Sequence, residues 1–251
     1  MLIFIVPLQS PHASKDWPHV CRLWERTLRS ICAQSCADFR VFLVCNQRPA
    51  IAFTHPAVTI IEEDFPLPEA TSASRMLDKW LKVKRGLIAA RGFAPAHVMI
   101  TDADDCVHQY LATLCANSPE AAGWVFHVGY LHDEGTRWLY RLKNFNRYCG
   151  TSAIVRLGPH DFPTSLSEPV QQYFILANGH TVICEYLRDR GTPLAPLPFV
   201  GAIYIAATGE NDSQIALRTW RGKKMFLLKL LNTRPVTAGI RRKFGLYVLE
   251  K

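Results

Sequence analysis

The 251-residue chain has no apolar run approaching the roughly 20 residues needed to span a bilayer, so a transmembrane helix does not organise it. Its first residues, "MLIFIVPL", lack a basic stretch and a small-residue cleavage site, and the apolar run stops at Pro7. They are expected to form a first strand, not a signal peptide. No C-x-x-C pair or Cys/His cluster is present. The eight cysteines (21, 32, 36, 45, 106, 115, 149 and 184) are scattered, with only Cys32 and Cys36 one helical turn apart. Reduced thiols buried as small hydrophobes are therefore expected over a zinc site, which fits a cytoplasmic protein. There is no internal repeat and no low-complexity linker, so the sequence marks no firm domain boundary. Acid is scarce in one region only. From Arg218 to Lys251 ten Lys/Arg residues face a single acid, Glu250, a net of +9 in a chain whose total is +8. Residues 1–217 therefore sum to −1, and the basic character belongs to the tail. That tail carries no recognisable nucleic-acid-reading motif, so no nucleic-acid partner is expected, although a basic face suits any anionic partner.

What is present describes an ordinary globular protein, with 49% hydrophobic and 20% charged residues. "LIFIVPL" (2–8), "FRVFLVCN" (39–46) and "AVTIIEE" (57–63) are β-branched and aromatic runs of strand type. Between the first two, Trp17, Val20, Cys21, Trp24, Leu28, Ile31 and Cys32 recur at helical spacing, with Asp16 as N-cap and Pro18 in the first turn. A second helix is predicted over about 74–91, with Ser74 as cap and Leu77, Trp80, Leu81 and Ile88 on one face, leading into the strand "HVMIT". Alternating strands and helices with short connections predict an α/β fold, a mostly parallel sheet wound by helices. From residue 123, "GWVFHVGYLHD", "TRWLYRLK" and "CGTSAIVRL" predict an antiparallel meander, followed by a helix over about 179–190.

The stretch "HVMITDADDC" (97–106) ends a hydrophobic strand in Asp102, Asp104 and Asp105, where mutual repulsion raises the cost of ionisation. Two carboxylates separated by one residue can turn to one side of the loop. Oxygen ligands suit magnesium or manganese, which take one or two carboxylates plus substrate phosphates. In wound sheets ligands bind beyond the carboxyl ends of strands, and this triplet follows the fourth strand.

"HVMITDADDCV", preceded by strand–helix–strand–strand–helix, resembles a family 2 glycosyltransferase of the GT-A fold. The resemblance extends over most of residues 1–217 and is strong at 97–107. It implies a catalytic domain over 1–217, with a nucleotide-sugar-binding half (1–106) and an acceptor half (107–217), and a basic amphipathic extension over 218–251. It further implies a UDP-linked nucleotide-sugar donor, a glycan or lipid-linked acceptor, an inverting outcome, and Mn2+ or Mg2+ as cofactor. Under it, Asp102 faces the nucleoside and Asp104 ligates the metal, with Asp105 shaping the loop. Pro7, Gln9 and Ser10 would cradle base and ribose. Asn46 stands where the family often reads the base with an aspartate, and it is equally well a turn residue. Arg75, Lys79 and Lys82 are candidates for the diphosphate, Lys79 and Lys82 lying one turn apart.

In the family an acidic pair opens a helix that runs about eleven residues to a glycine turn. Here "GHTVICEYLRDRG" has that shape, with His180 eleven residues before Gly191 and Gly179 where the glutamate would be. A histidine can serve as base because its reference pKa lies near neutrality. Glu185, Glu168 and Asp161 are the carboxylate alternatives. The late metal ligand of the family would fall in "YIAATGENDS" (204–213), with Thr208 in place of a histidine and Glu210, Asn211 and Asp212 as oxygen-bearing substitutes. Two other classes compete. A magnesium-dependent phosphatase would need its D-x-D on the first strand. A non-catalytic nucleotide or glycan binder would keep the fold without the base. The tail, with Met225, Phe226, Leu227, Leu228, Leu230 and Leu231 among its cations, suits peripheral contact with anionic lipid at the inner face of a membrane. It suits equally a helix packed on the catalytic domain. Nothing in the sequence sets the oligomeric state.

Overall fold

The computed structural model describes residues 1–177, 179–211 and 231–249. The chain opens with β1 (Leu2–Pro7), α1 (Trp17–Cys32), β2 (Phe39–Cys45), β3 (Val58–Glu62), α2 (Ser72–Ala90) and β4 (Ala96–Ile100). β1 lies between β2 and β4 and is parallel to both, and β3 continues outward beside β2. Alternation along β1 sends Leu2, Phe4 and Val6 to one face and Ile3 and Ile5 to the other. α1 covers the first face with Val20, Trp24, Leu28 and Ile31, and α2 covers the second with Val83, Leu87 and Ala90. A strand buried on both faces reads as a continuous apolar run, which is why "LIFIV" shows no alternation. Each such large side chain, fully buried, contributes about 1.5–3 kcal/mol.

Helix starts follow side-chain caps. The Asp16 carboxylate accepts from the His19 amide at 3.0 Å and begins α1. α2 begins two residues before the predicted Ser74, because Thr71 is the cap and accepts from the Ser74 amide at 3.2 Å.

Beyond β4 come β5 (Cys106–Val107), α3 (Leu111–Asn117), β6 (Gly123–Val125), β7 (Val128–Asp133), β8 (Trp138–Lys143) and β9 (Ala153–Leu157). Then follow α4 (Phe174–Ala177), α5 (Ile183–Asp189), β10 (Ala195–Pro196), β11 (Ala202–Ala206) and β12 (Thr233–Pro235). The expected meander is split between two sheets. Residues 123–133 break at Phe126–His127, so β6 joins β9 in the large sheet while β7 pairs β8 in a smaller one. The seven-stranded sheet has the order β10-β6-β9-β4-β1-β2-β3, mostly parallel. The five-stranded sheet, β12-β8-β7-β11-β5, is mostly antiparallel among the described residues, with β7 and β11 parallel. The molecule is thus a mixed α/β fold whose large sheet is flanked by helices. The halves expected at 1–106 and 107–217 share that sheet, since β9 is antiparallel to β4. α5 starts at Ile183, four residues later than the predicted 179.

In the tail, β12 pairs antiparallel with β8, and the helix Ala238–Phe244 follows. Phe244 and Leu246 are buried against Tyr130, Ile203 and Ile205, while Arg242 and Lys243 stay exposed. Of the tail's apolar cluster only Leu231 falls within the described residues, and it is exposed. Met225, Phe226, Leu227, Leu228 and Leu230 lie outside them. No helix among the described residues is long and apolar enough to cross a membrane.

Candidate functional site

β2 and β4 leave β1 on opposite sides, so strand order reverses at β1 and a crevice opens beyond the carboxyl ends of β1 and β4. A cavity of about 580 Å³ occupies this position. Asp102 and Asp104 lie on its wall, directly after β4.

Each acid there has its own environment. The Asp102 amide donates to Thr151 Oγ1 at 2.9 Å, and Oδ1 accepts from Lys79 Nζ at 2.5 Å. Gly150 packs against the same carboxylate, and a methyl group there would lie 2.8 Å from Oδ2. Asp104 Oδ2 accepts from Asn211 Nδ2 at 2.9 Å. Burial first, then the Asp102 charge, push Asp104 up to about 7. Asp105 turns inward and is fully buried, with Oδ1 accepting from the Ile205 amide at 3.1 Å and Oδ2 from Cys149 Sγ at 3.2 Å. Burial, then Asp104 and Asp102, hold it well above the usual carboxylate range. Asp105 therefore ties the acidic turn to β11 and to the loop before β9.

α2 supplies the cations. Arg75, Lys79 and Lys82 all line the cavity, as does Asp78. Lys82 is fully buried and donates to Asp78 Oδ2 at 2.7 Å. Burial lowers Lys82 and raises Asp78, each offset in part by the other.

The first loop closes another side. Pro7 and Gln9 line the cavity, and Gln9 Nε2 donates to Glu210 Oε2 at 2.9 Å. Glu210 also accepts from the amides of Lys15 and Asp16 at 3.1 and 3.0 Å, docking residues 207–211 on the loop after β1. Ser10 turns away from the cavity. It is fully buried and caps the turn Pro11–Ala13, accepting from the Ala13 amide at 3.3 Å. Asn46 also lies outside the cavity wall, donating from Nδ2 to the Phe65 carbonyl at 3.0 Å. In the docked loop, Ala207 holds a left-handed φ of 60°, a conformation costing on the order of 1–3 kcal/mol for a residue other than glycine. Asn211 Oδ1 fixes it by accepting from both the amide and the hydroxyl of Thr208 at 2.9 Å.

His180 lies in the turn before α5, on the cavity wall with Tyr148. Burial lowers its pKa, Asp102 opposes that, and Lys79 adds to it. The carboxylate alternatives lie elsewhere. Glu185 is exposed on α5, away from the cavity. Glu168 serves its own loop, held at about 2 by hydrogen bonds from Thr164 and Tyr173. Asp161 caps a turn through the Gly158 amide at 2.7 Å. The structure thus brings together Pro7, Gln9, Arg75, Lys79, Lys82, Asp102, Asp104 and His180, and leaves Ser10, Asn46, Glu168 and Glu185 apart. Asp212 lies outside the described residues. Sequence reasoning missed Asp78, Tyr148 and Gly150. An acid four residues before Lys82 was the only available signal, and it is easily taken for a solvated helix pair.

Among the described residues no three His, Cys, Asp or Glu side chains converge as a complete metal shell. Two carboxylates suffice for a hard cation that draws its other ligands from water and phosphate. Asp104, driven toward neutrality by burial and then by the neighbouring Asp102 carboxylate, is a site that a cation would relieve. The residues therefore fit magnesium or manganese held by Asp102 and Asp104, with one oxygen of Asp102 shared with Lys79.

No protein-family model and no curated protein matches the chain. Among solved structures it is similar to HddC from Yersinia pseudotuberculosis, with 13% identity and a TM-score of 0.32. That match covers 81% of this chain and 88% of the other, a likeness too slight to carry chemistry across.

Proposed function

We propose that the chain is a glycosyltransferase of GT-A type, moving a sugar from a UDP-linked donor to a glycan or lipid-linked glycan acceptor with inversion. One observation carries this reading. At the switch point of a wound sheet, an acid pair and two cations of α2, Arg75 and Lys79, line one cavity. A nucleoside diphosphate is the ligand class that uses both, its phosphates meeting Arg75 and Lys79 and a divalent cation that Asp102 and Asp104 would hold.

In this reading Asp102 and Asp104 hold manganese or magnesium, which when bound offsets charge on the diphosphate leaving group. The chain's own residues do the rest. His180, uncharged near neutral pH because burial lowers its pKa, accepts the proton of the acceptor hydroxyl as that oxygen bonds to the anomeric carbon. The bond from that carbon to the diphosphate breaks, and Lys79 meets the charge that develops there. Cations at the surface of the last described helix, Arg242 and Lys243, are suited to an anionic surface presenting a lipid-linked acceptor.

Release of UDP from UDP-sugars, with manganese and without, tests the assignment. His180→Gln is expected to lower turnover by roughly 10²–10⁴-fold while UDP affinity stays within a few-fold. Tight UDP binding with no turnover of any UDP-sugar would make the protein a binder instead. Absence of UDP binding altogether would remove the assignment.

A further inference from the structure

The cavity has two poles, and the acid pair accounts for only one. α2 lies flush on the sheet at Gly86, where a methyl group would sit 2.7 Å from Ile5 Cγ2 and 3.3 Å from Val44 Cγ2. The helix runs back from the carboxyl ends of the strands, so earlier residues stand nearer those ends. Four residues advance a helix by about 6 Å. Lys82 therefore stands level with the ends of β1 and β2, where Cys45 is its electrostatic neighbour. Asp78 stands one further turn out, just beyond those ends. Lys79 instead reaches sideways to Asp102 at the end of β4.

At the β1 end of the cavity, where Pro7 and Leu8 line the wall with Asp78 and Lys82, the Asp78–Lys82 pair is costly as packing alone. Lys82 is fully buried and Asp78 is 7% exposed. Replacing such a pair by apolar side chains is often neutral or stabilising. The pair is also incomplete: Lys82 holds Oδ2, but the buried Oδ1 of Asp78, on a residue of the cavity wall, has no hydrogen-bond partner. An unsatisfied buried acceptor in a ligand cavity calls for a donor. Asn46 does not compete for this role: its Oδ1 is also buried and unpaired, but the residue lies off the cavity wall, with Nδ2 turned to the Phe65 carbonyl.

We propose that Asp78 is the base-reading residue of this cavity, its free carboxylate oxygen accepting the N3–H of uracil while Lys82 fixes the carboxylate from behind. The inference rests on the nucleoside-diphosphate reading above. With phosphates drawn to Lys79, Asp102 and Asp104, the base falls at the opposite pole. Uracil presents a donor there. Cytosine, of the same shape, presents a lone pair at N3, which a carboxylate repels.

Calorimetry with UDP, CDP, N3-methyl-UDP and inorganic pyrophosphate tests this. The wild type is expected to bind UDP at least tenfold more tightly than CDP or N3-methyl-UDP, because each leaves the carboxylate oxygen unpaired. Asp78→Asn is expected to collapse that ratio and leave pyrophosphate affinity unchanged, whereas Asn46→Ala keeps the ratio. If Asp78→Asn fails to fold, Asp78→Leu/Lys82→Leu replaces the pair by apolar groups and is expected to fold, bind pyrophosphate and show no preference. Equal wild-type affinity for UDP and N3-methyl-UDP overturns the inference without any variant, as does a preference that survives in either variant. If the wild type binds none of the nucleotides, the wider reading fails with it.

Discussion

Lys79 and Asp102 meet as an ion pair of 2.5 Å that ties α2 to the end of β4 across the cavity. Both side chains keep about a quarter of their surface in solvent, 30% and 25%. Solvent screening therefore leaves the pair a small part in stability, about 0–1 kcal/mol, and its importance lies in binding. Lys79→Met is expected to melt within a few degrees of the wild type. It should lower affinity for pyrophosphate and UDP by roughly 10-fold or more, as charge-assisted hydrogen bonds are lost. Affinity for manganese alone should rise, since Asp102 no longer shares its carboxylate. Titration with each ligand separately measures the two opposite effects. A uniform loss would mean that the lysine only supports the fold.

Gly150 places a steric limit on the same carboxylate. With a methyl group 2.8 Å from Oδ2, Gly150→Ala must displace the Asp102 side chain, which can swing at modest cost. The expected outcome is weakened manganese and UDP binding with little change in melting temperature. A variant that binds both normally would show that the position of Asp102 is not critical.

Asp104 makes stability depend on pH in an unusual direction for a carboxylate. Its folded pKa, raised from 3.8 to about 7, means that the folded state holds this proton more tightly than the unfolded state. The contribution is fully present below about 3.8 and is lost as pH rises through 7. Asp104→Asn removes that dependence, so its advantage over the wild type should be larger at pH 8 than at pH 5. Thermal melts without added metal at the two values measure it, and a constant difference would contradict the assignment.

Asp105 should matter for folding more than for ligands. Asp105→Ala strands the Ile205 amide and the Cys149 thiol in the interior, at a cost of about 1–3 kcal/mol. Asp105→Asn retains an acceptor for the amide and should lose less. Denaturant titration with an unchanged slope distinguishes this from a loosened native state.

Most of the first half of the fold was legible because its signals are local, but the face of α2 was not: Leu77 is exposed and Trp80, Leu81 and Ile88 are only half-buried, while Val83, Leu87 and Ala90 pack on the sheet. Trp24 and Leu28 repeat at helical spacing, Asp16 caps in place, and β1 to β4 are dense in β-branched residues. The second half was less so. Residues 123–133 alternate in the same way on either side of Phe126–His127, so nothing in the pattern shows the chain changing sheets there. The D-x-D was visible as a motif, but its partners were not. Asn211 reaches Asp104 across 107 positions, and Gly150 acts through the room it leaves. Asp78 and Lys82 have the spacing of an ordinary surface pair. Only their position on the inward face of α2 makes them a feature of the cavity.

The insertion of β9 beside β4 has a consequence for biosynthesis. The strand that delivers the acids is hydrogen-bonded on one side to β1 and on the other to a strand ending at Leu157. As the chain emerges from the ribosome, one edge of β4 stays open after its own residues are complete. It closes only when some fifty more have been made. An open strand edge recruits other chains. A nascent or truncated polypeptide ending near residue 106 is therefore expected to aggregate through that edge.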